Sequence, residues 1–380
     1  MKKQIALAAG LAVLATPALA SKARMMALGE DVDGSFYVND NRNIFLNPSE
    51  VLNHKDMVSF EWGAGQGTDA TDDANAEGGF LRASGNLVWG AQMGRVTEWH
   101  QDYNLIDAQQ ATLVGFSPSN ALDLFIGGDA GIKWGAQVTY SSRKDDAVGG
   151  TAGNEGEANE TSIAAGVSTG NIAGYLKYGL SAKSETTTAG VDEEVKRASP
   201  LELGVSYKWM DYTFFGQYSM AKYEIDDAGV DFDAEFKSYQ IGAGRVSKLS
   251  DRANLFTKIA YVKSEIDWDD FGAVNEEDNS TTLPVTIGLE YDAASWLTLR
   301  GSISQNVFIN EQEQNGEKRT VANSTDVNAG ATLKFGDLSV DGVLGTAGAG
   351  TADTRNSSQD ETGILNTDNL MSRVSMTYRF

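Results

Sequence analysis

Cysteine is absent from the 380 residues, and histidine occurs only twice, at His54 and His100. The first absence excludes a disulfide framework and thiolate chemistry. The second leaves little for imidazole catalysis, and no G-x-S-x-G, H-E-x-x-H or P-loop pattern is present. Neither enzyme activity nor a cofactor is expected. Long apolar runs are missing beyond residue 20, so no helix is expected to span a bilayer, which takes about 20 apolar residues. Basic residues are scarce, 30 against 53 acidic, for a net charge of −23. That balance argues against nucleic acid as a partner, which requires a basic face. Proline is rare as well, 5 against 41 glycines, which suits many strands joined by tight turns.

The first segment that is present is an export signal. Lys2 and Lys3 form a basic head, Ile5 to Leu14 an apolar run, and Ala18-Leu19-Ala20 a small-residue cleavage pattern. Residues 1–20 therefore read as a signal peptide cut before Ser21. Loss of Lys2 and Lys3 takes the net charge from −23 to −25. Residues 21–56 do not alternate. Asn47-Pro48-Ser49-Glu50 has the residue order of a helix start, with Asn as cap and Pro at the first position. The segment reads as an N-terminal arm or small plug, with a loose periplasmic tail as the alternative.

From Met57 the pattern changes to period two, the signature of half-buried strands. Val58, Phe60 and Trp62 share a face; Leu81 and Ala83, then Leu87, Trp89, Ala91 and Met93, extend it. Further along, Ile132 to Tyr140, Leu201 to Trp209, Leu283 to Tyr291, Leu297 to Ile303 and Val327 to Phe335 alternate in the same way. The connections alternate too. Short ones fall at Met210-Asp211 and Gly336-Asp337, and long polar ones at about 141–160, 185–199, 224–235, 265–281, 310–326 and 347–370. Short turns on one side and long loops on the other are the pattern of transmembrane β-barrels. Trp209, Tyr212, Tyr291, Trp296 and Phe335 flank the short turns, where a girdle of amphipathic rings prefers headgroup depth. The expected fold is all-β: a transmembrane, antiparallel, up-and-down barrel over residues 57–380. Counting back from the last strand yields twelve strands from Ile132 onward and four before it, sixteen in all, with fourteen as the alternative.

On that reading the polar strand faces line a water-filled lumen too wide for side chains to fill. The candidate pore-lining residues are Arg82, Lys133, Gln137, Glu202, Lys208, Glu290, Arg300, Lys334, Asp341 and Arg373. They could tune which solutes pass, or pair across the lumen and only stabilise it. Residues 95–120 form the longest non-periodic insertion; Trp99, His100, Asp102 and Tyr103 make it a candidate constriction loop, with an outward surface loop as the alternative. The loops around Glu224–Glu235 and Glu265–Asp278 are acidic without matching a metal-loop spacing. They read first as solvated rims that keep the mouth negative and concentrate cations. No metal is expected.

The C-terminal Val374, Met376, Tyr378 and Phe380 alternate with Arg373, Ser375, Thr377 and Arg379. This closing strand, with the signal peptide and the strands between, resembles the porins of the Gram-negative outer membrane. The resemblance implies an outer-membrane location, passive passage of small hydrophilic solutes, and contact with lipid and lipopolysaccharide. It also implies that Tyr378 and Phe380 are read by the barrel-assembly machinery. A homotrimer is implied by the resemblance alone. Asn43–Glu50 with Asp56–Gly63 looks like the amino terminus of porin-like barrels from Bdellovibrio-type bacteria. Asn47-Pro48-Ser49 is also similar to the Asn-Pro-Ala stretch in the hatch of FadL-type transporters of hydrophobic compounds, with Ser in place of Ala. A structural or adhesive barrel is the remaining alternative.

Overall fold

The computed structural model describes residues 21–63, 75–97, 118, 120–148, 153–227, 229–269, 276–314, 316–321, 325–346 and 370–380. Residues 1–20, read above as a signal peptide, and the candidate constriction residues Trp99, His100, Asp102 and Tyr103 lie outside them.

Alternation becomes strand throughout. In order these are β1 (Met57–Gly63), β2 (Asn75–Ser84), β3 (Leu87–Arg95), β4 (Ala121–Asp129), β5 (Lys133–Asp145) and β6 (Glu155–Ser168). Then come β7 (Ile172–Thr188), β8 (Val191–Trp209), β9 (Tyr212–Asp227), β10 (Val230–Ser250), β11 (Ala253–Asp269) and β12 (Glu276–Ala294). The last are β13 (Leu297–Gln314), β14 (Glu317–Thr320), β15 (Thr325–Phe335), β16 (Leu338–Thr346) and β17 (Leu370–Arg379). Each strand is antiparallel to its neighbours, and β1 pairs with both β2 and β17, so the sheet has no free edge. The short β14 pairs only with the outer end of β13, while β13 pairs directly with β15. The result is a closed barrel of sixteen staves. No helix of the described residues is long and apolar enough to cross a membrane; the strands do so instead.

Across the staves the apolar side chains turn outward. Phe60, Trp89, Val138, Val205, Ile259, Ile287 and Ile303 are exposed on the outer face. The short-turn end carries exposed rings on the same face: Trp209, Tyr212, Tyr291, Trp296 and Phe335. In β17 Ser375 and Thr377 are buried inward, while Tyr378 and Phe380 stack on the outside, ring centres 6.3 Å apart. Turns at this end are tight, and Gly336 supplies the left-handed residue between β15 and β16.

Two expectations change. Several stretches expected as long polar loops continue as sheet. β7 and β8 are joined by Ala189-Gly190 alone, and β9 pairs with β10 out to Asp227 and Val230. Above the lipid band the outer face meets water, so polar residues take the outer positions and the apolar ones turn inward; the stretches do not read as membrane strands although pairing goes on. The second change is in β2. Register puts Phe80 opposite Val58 and Arg82 opposite Trp89, on the outer face. Leu81 points inward instead and is fully buried beside Ile44, Val51, Met57 and Phe125. Phe80 and Leu81 are both apolar, so period two alone could not choose between them. The barrel interior decided for Leu81.

Candidate functional site

The lumen holds the chain's own N-terminal segment. Ser21 caps α1 (Lys22–Ala27), its Oγ accepting from the Arg24 N–H at 3.1 Å. α1 packs against β13 and β15–β17. A loop leads to α2 (Asn43–Leu46) and then to a 3₁₀ turn at Pro48–Leu52 that faces β3–β6. Asn47 caps that turn, accepting from the Ser49 N–H at 3.0 Å and the Ser49 hydroxyl at 2.8 Å. The wall is shaped to receive the segment. A Cβ on Gly135 would meet the Pro48 carbonyl, one on Gly166 the Asn47 side chain, and one on Gly244 the Tyr37 ring.

Charge fastens what shape admits. Arg24 donates to Asp40 at 2.9 Å and to Glu290 of β12 at 3.0 Å. Glu290 also accepts from Arg300 at 2.6 Å, and Arg300 reaches Asp341 at 3.3 Å. Arg42 pairs with Asp33 at 2.7 Å and with Glu77 and Glu61 on the wall. Lys22 adds a 2.8 Å bond to Glu77, and Lys258 of β11 a 2.8 Å bond to Glu30. Burial opposes the Arg24 charge, but Glu290 and Asp40 outweigh it and raise its pKa above the ordinary value. Burial likewise opposes Arg42, and Glu77, Glu61 and Asp33 outweigh it. Removing one member of such a set strands a buried charge, typically at a cost of about 3–5 kcal/mol. These pairs therefore make docking of the arm specific. His54, near the arm's end, is the opposite case. It is buried, neither ring nitrogen has a partner among the described residues, and burial next to Arg379, Arg24 and Lys133 lowers its pKa to about 3.

The ten candidate pore residues separate accordingly. Glu290, Arg300 and Asp341 face inward and are joined in one buried network. Gln137 donates to Asp123, which also holds Arg95. Glu202 pairs with Lys177 at 2.9 Å, Lys334 with Asp292 at 3.3 Å, and Lys133 with Asn53 of the arm at 2.6 Å. Arg373 and Lys208 line open space in the lumen. Arg82 does not belong: it is on the outer face at the short-turn end, its guanidinium 5.0 Å from the Phe380 ring centre. The register of β2 explains that correction. Missed altogether were the arm's own functional side chains, Arg24, Glu30, Phe36, Tyr37 and Arg42, and their wall partners Glu61, Glu77 and Lys258. Glu61 lay in plain view on the polar face of β1, between Phe60 and Trp62.

Among the described residues, two open spaces lie between arm and wall. The larger, about 1400 Å³, is lined by Lys177, Glu202, Gln217, Gln240, Lys258 and Arg373 among others, with Glu30, Asp31 and Asp33 on the arm side. The smaller, about 570 Å³, lies toward the short turns and is lined by Lys133, Asn171, Lys208 and Thr213. A solute in the larger meets polar and apolar surface in about equal measure, and one in the smaller meets more polar than apolar surface.

No known protein family matches the sequence. No curated protein matches it either. Solved barrels are similar in shape. They include the Ralstonia pickettii toluene transporter TbuX, at 12% identity over 96% of this chain and 98% of that one, TM-score 0.38. A Pseudomonas aeruginosa FadL homologue shares 11% identity over 95% of this chain and 98% of its own, TM-score 0.43. A porin shares 10% identity over 85% of this chain and 99% of its own, TM-score 0.36. Overlaps of this size carry no argument about cargo, and the fold rests on the strand pairing itself.

Proposed function

We propose that the protein is an outer-membrane channel that lets small hydrophilic solutes diffuse passively past its N-terminal arm. A closed sheet with an apolar belt, aromatic rims and a polar interior suits that membrane. The observation that carries the choice of cargo is the lining of the larger cavity. Lys177, Glu202, Lys258, Glu30 and Arg373 border it, and an apolar cargo would strip water from these groups without replacing their hydrogen bonds. The filled lumen favours a second reading, a plugged barrel carrying hydrophobic compounds. The charges in the larger cavity's lining support the first reading, and its apolar half, with Met26, Val32, Leu46 and Phe236, supports the second.

Selectivity follows from the rims. Glu224, Asp226, Asp231 and Asp233 are exposed at the outer ends of β9 and β10. A negative mouth raises the local concentration of cations. Reconstitution into planar bilayers tests both statements. Steady ohmic steps with a reversal potential favouring cations are expected. Anion preference would overturn the role given to the rim. Absence of conductance, with transfer of an apolar compound into the barrel, would support the second reading instead.

A further inference from the structure

The two cavities meet at one place. Four arm residues, Ser35, Phe36, Tyr37 and Leu46, border both of them. Of these, Phe36 has its ring stacked on two rings of the wall. Its centroid lies 4.9 Å from Phe215 at an interplanar angle of 7°, and 6.2 Å from Tyr175 at 25°. Phe215 lines the larger cavity and Tyr175 the smaller, so the stack crosses the partition. Each wall ring lies over the glycine paired across from it. A Cβ on Gly204 would strike Tyr175, and one on Gly242 would strike Phe215. Aromatic side chains cover strand glycines in this way, which holds the rings flat against the sheet and fixes where their edges stand. The Ser35 hydroxyl accepts from the N–H groups of Tyr37 and Val38, and the Tyr37 hydroxyl donates to Glu30 at 2.9 Å, so the backbone carrying Phe36 is tied on both sides.

We propose that Phe36 is the size-selecting gate of the channel: its ring, stacked on Phe215 and Tyr175, stands in the partition between the larger cavity and the smaller, and solutes cross past it where it moves off the wall. The proposal rests on the channel reading above. The gate faces β7–β9, while the ion pairs that fasten the arm lie on β1, β2, β11 and β12, so the ring can be changed without removing a member of the anchor. The polar cavities determine what kind of solute arrives, and the aromatic slot determines how wide it can be.

Single-channel conductance in planar bilayers of wild type, Phe36→Ala and Phe36→Leu tests this. Phe36→Ala is expected to raise conductance by about twofold or more, because the narrowest section governs an ohmic pore, and to admit larger sugars in liposome swelling. Phe36→Leu should stay near wild type. Gly204→Ala pushes Tyr175 into the lumen against Phe36 and should lower conductance with every arm residue unchanged. The protein has no cysteine, so Phe36→Cys carries a unique thiol, and a cationic thiol reagent should cut its current. A silent wild type with a conducting Phe36→Ala would also support a gate, one closed at rest. If wild type conducts and neither Phe36→Ala nor reagent on Phe36→Cys changes the current, the gate is wrong and the channel stands. If wild type and all variants are silent although their circular dichroism shows intact sheet, the channel reading fails and the gate with it.

Discussion

The lipid band and the outer ends of β7–β11 are one continuous sheet with opposite sidedness. In the band apolar residues point outward, as Val205, Ile259 and Ile287 do, and the charges point inward. Farther out the same strands turn Val195, Ala221, Tyr223, Ile225, Phe232, Ala234 and Trp268 inward into a buried cluster. There the exposed outer positions are Glu224, Asp226, Asp231 and Asp233. Through β9–β11 the pairing and the alternation carry on, whereas in β8 an irregularity between Ala198 and Leu201 resets the phase, so that Val195 turns in although Val205 turns out; for all of them the medium outside changes. Against hydrocarbon an apolar side chain belongs outside, and against water it belongs in a core. The outer extension is thus a water-soluble sheet built on a membrane one. Phe236 and Ile266 pack against its cluster and also border the larger cavity, so the extension closes the lumen from the side.

That contrast can be broken most forcefully in the extension. Trp268→Ala removes a buried ring and should cost about 3–5 kcal/mol, confined to the outer ends of β9–β11. Hydrogen exchange should show protection lost there and kept in the band; equal loss in both would mean that the two regions fold as one. Next in size, Ile287→Arg sets a charge against lipid and should cost about 2–4 kcal/mol near mid-bilayer. Asp231→Arg, on the outer face of the extension, should stay within about 0.5 kcal/mol. Urea unfolding of vesicle-inserted protein compares them, and similar costs would erase the boundary. A further effect concerns the arm inside the barrel. Folded His54 is held at about 3 instead of 6.5. The undocked arm binds a proton below 6.5 that the docked arm refuses. Docking is therefore strongest above that pH and weakens as pH falls toward 3, by about 2 kcal/mol at pH 5. Protease sensitivity of residues 21–56 should rise more between pH 7 and pH 5 in wild type than in His54→Gln.

Much of this was legible along the chain because lipid imposes a rule on every second residue. The inward places of Glu202, Glu290, Arg300 and Ser375 follow from apolar neighbours on both sides. Where both neighbours were apolar, as at Phe80 and Leu81, the rule had no purchase and Arg82 went to the wrong face. Beyond the band the rule no longer held, so paired strands looked like loops. The arm could be recognised only as a segment that does not alternate. Nothing local connects Arg24 to Glu290 or Arg42 to Glu77, because those partners are separated by long stretches of chain and meet only after closure.

The amino-acid order by itself determined the closed sheet, its apolar belt, its aromatic rims and its polar inner face, since each depends on a side chain and its nearest neighbours. Tertiary structure decided what occupies the interior. Once sixteen staves enclose a space too wide for their own side chains, the arm enters it, glycines in the wall make room, and buried charges take the partners that come within reach. The width left over, and the ring of Phe36 standing in it, are properties of that assembly and of no single stretch of the chain.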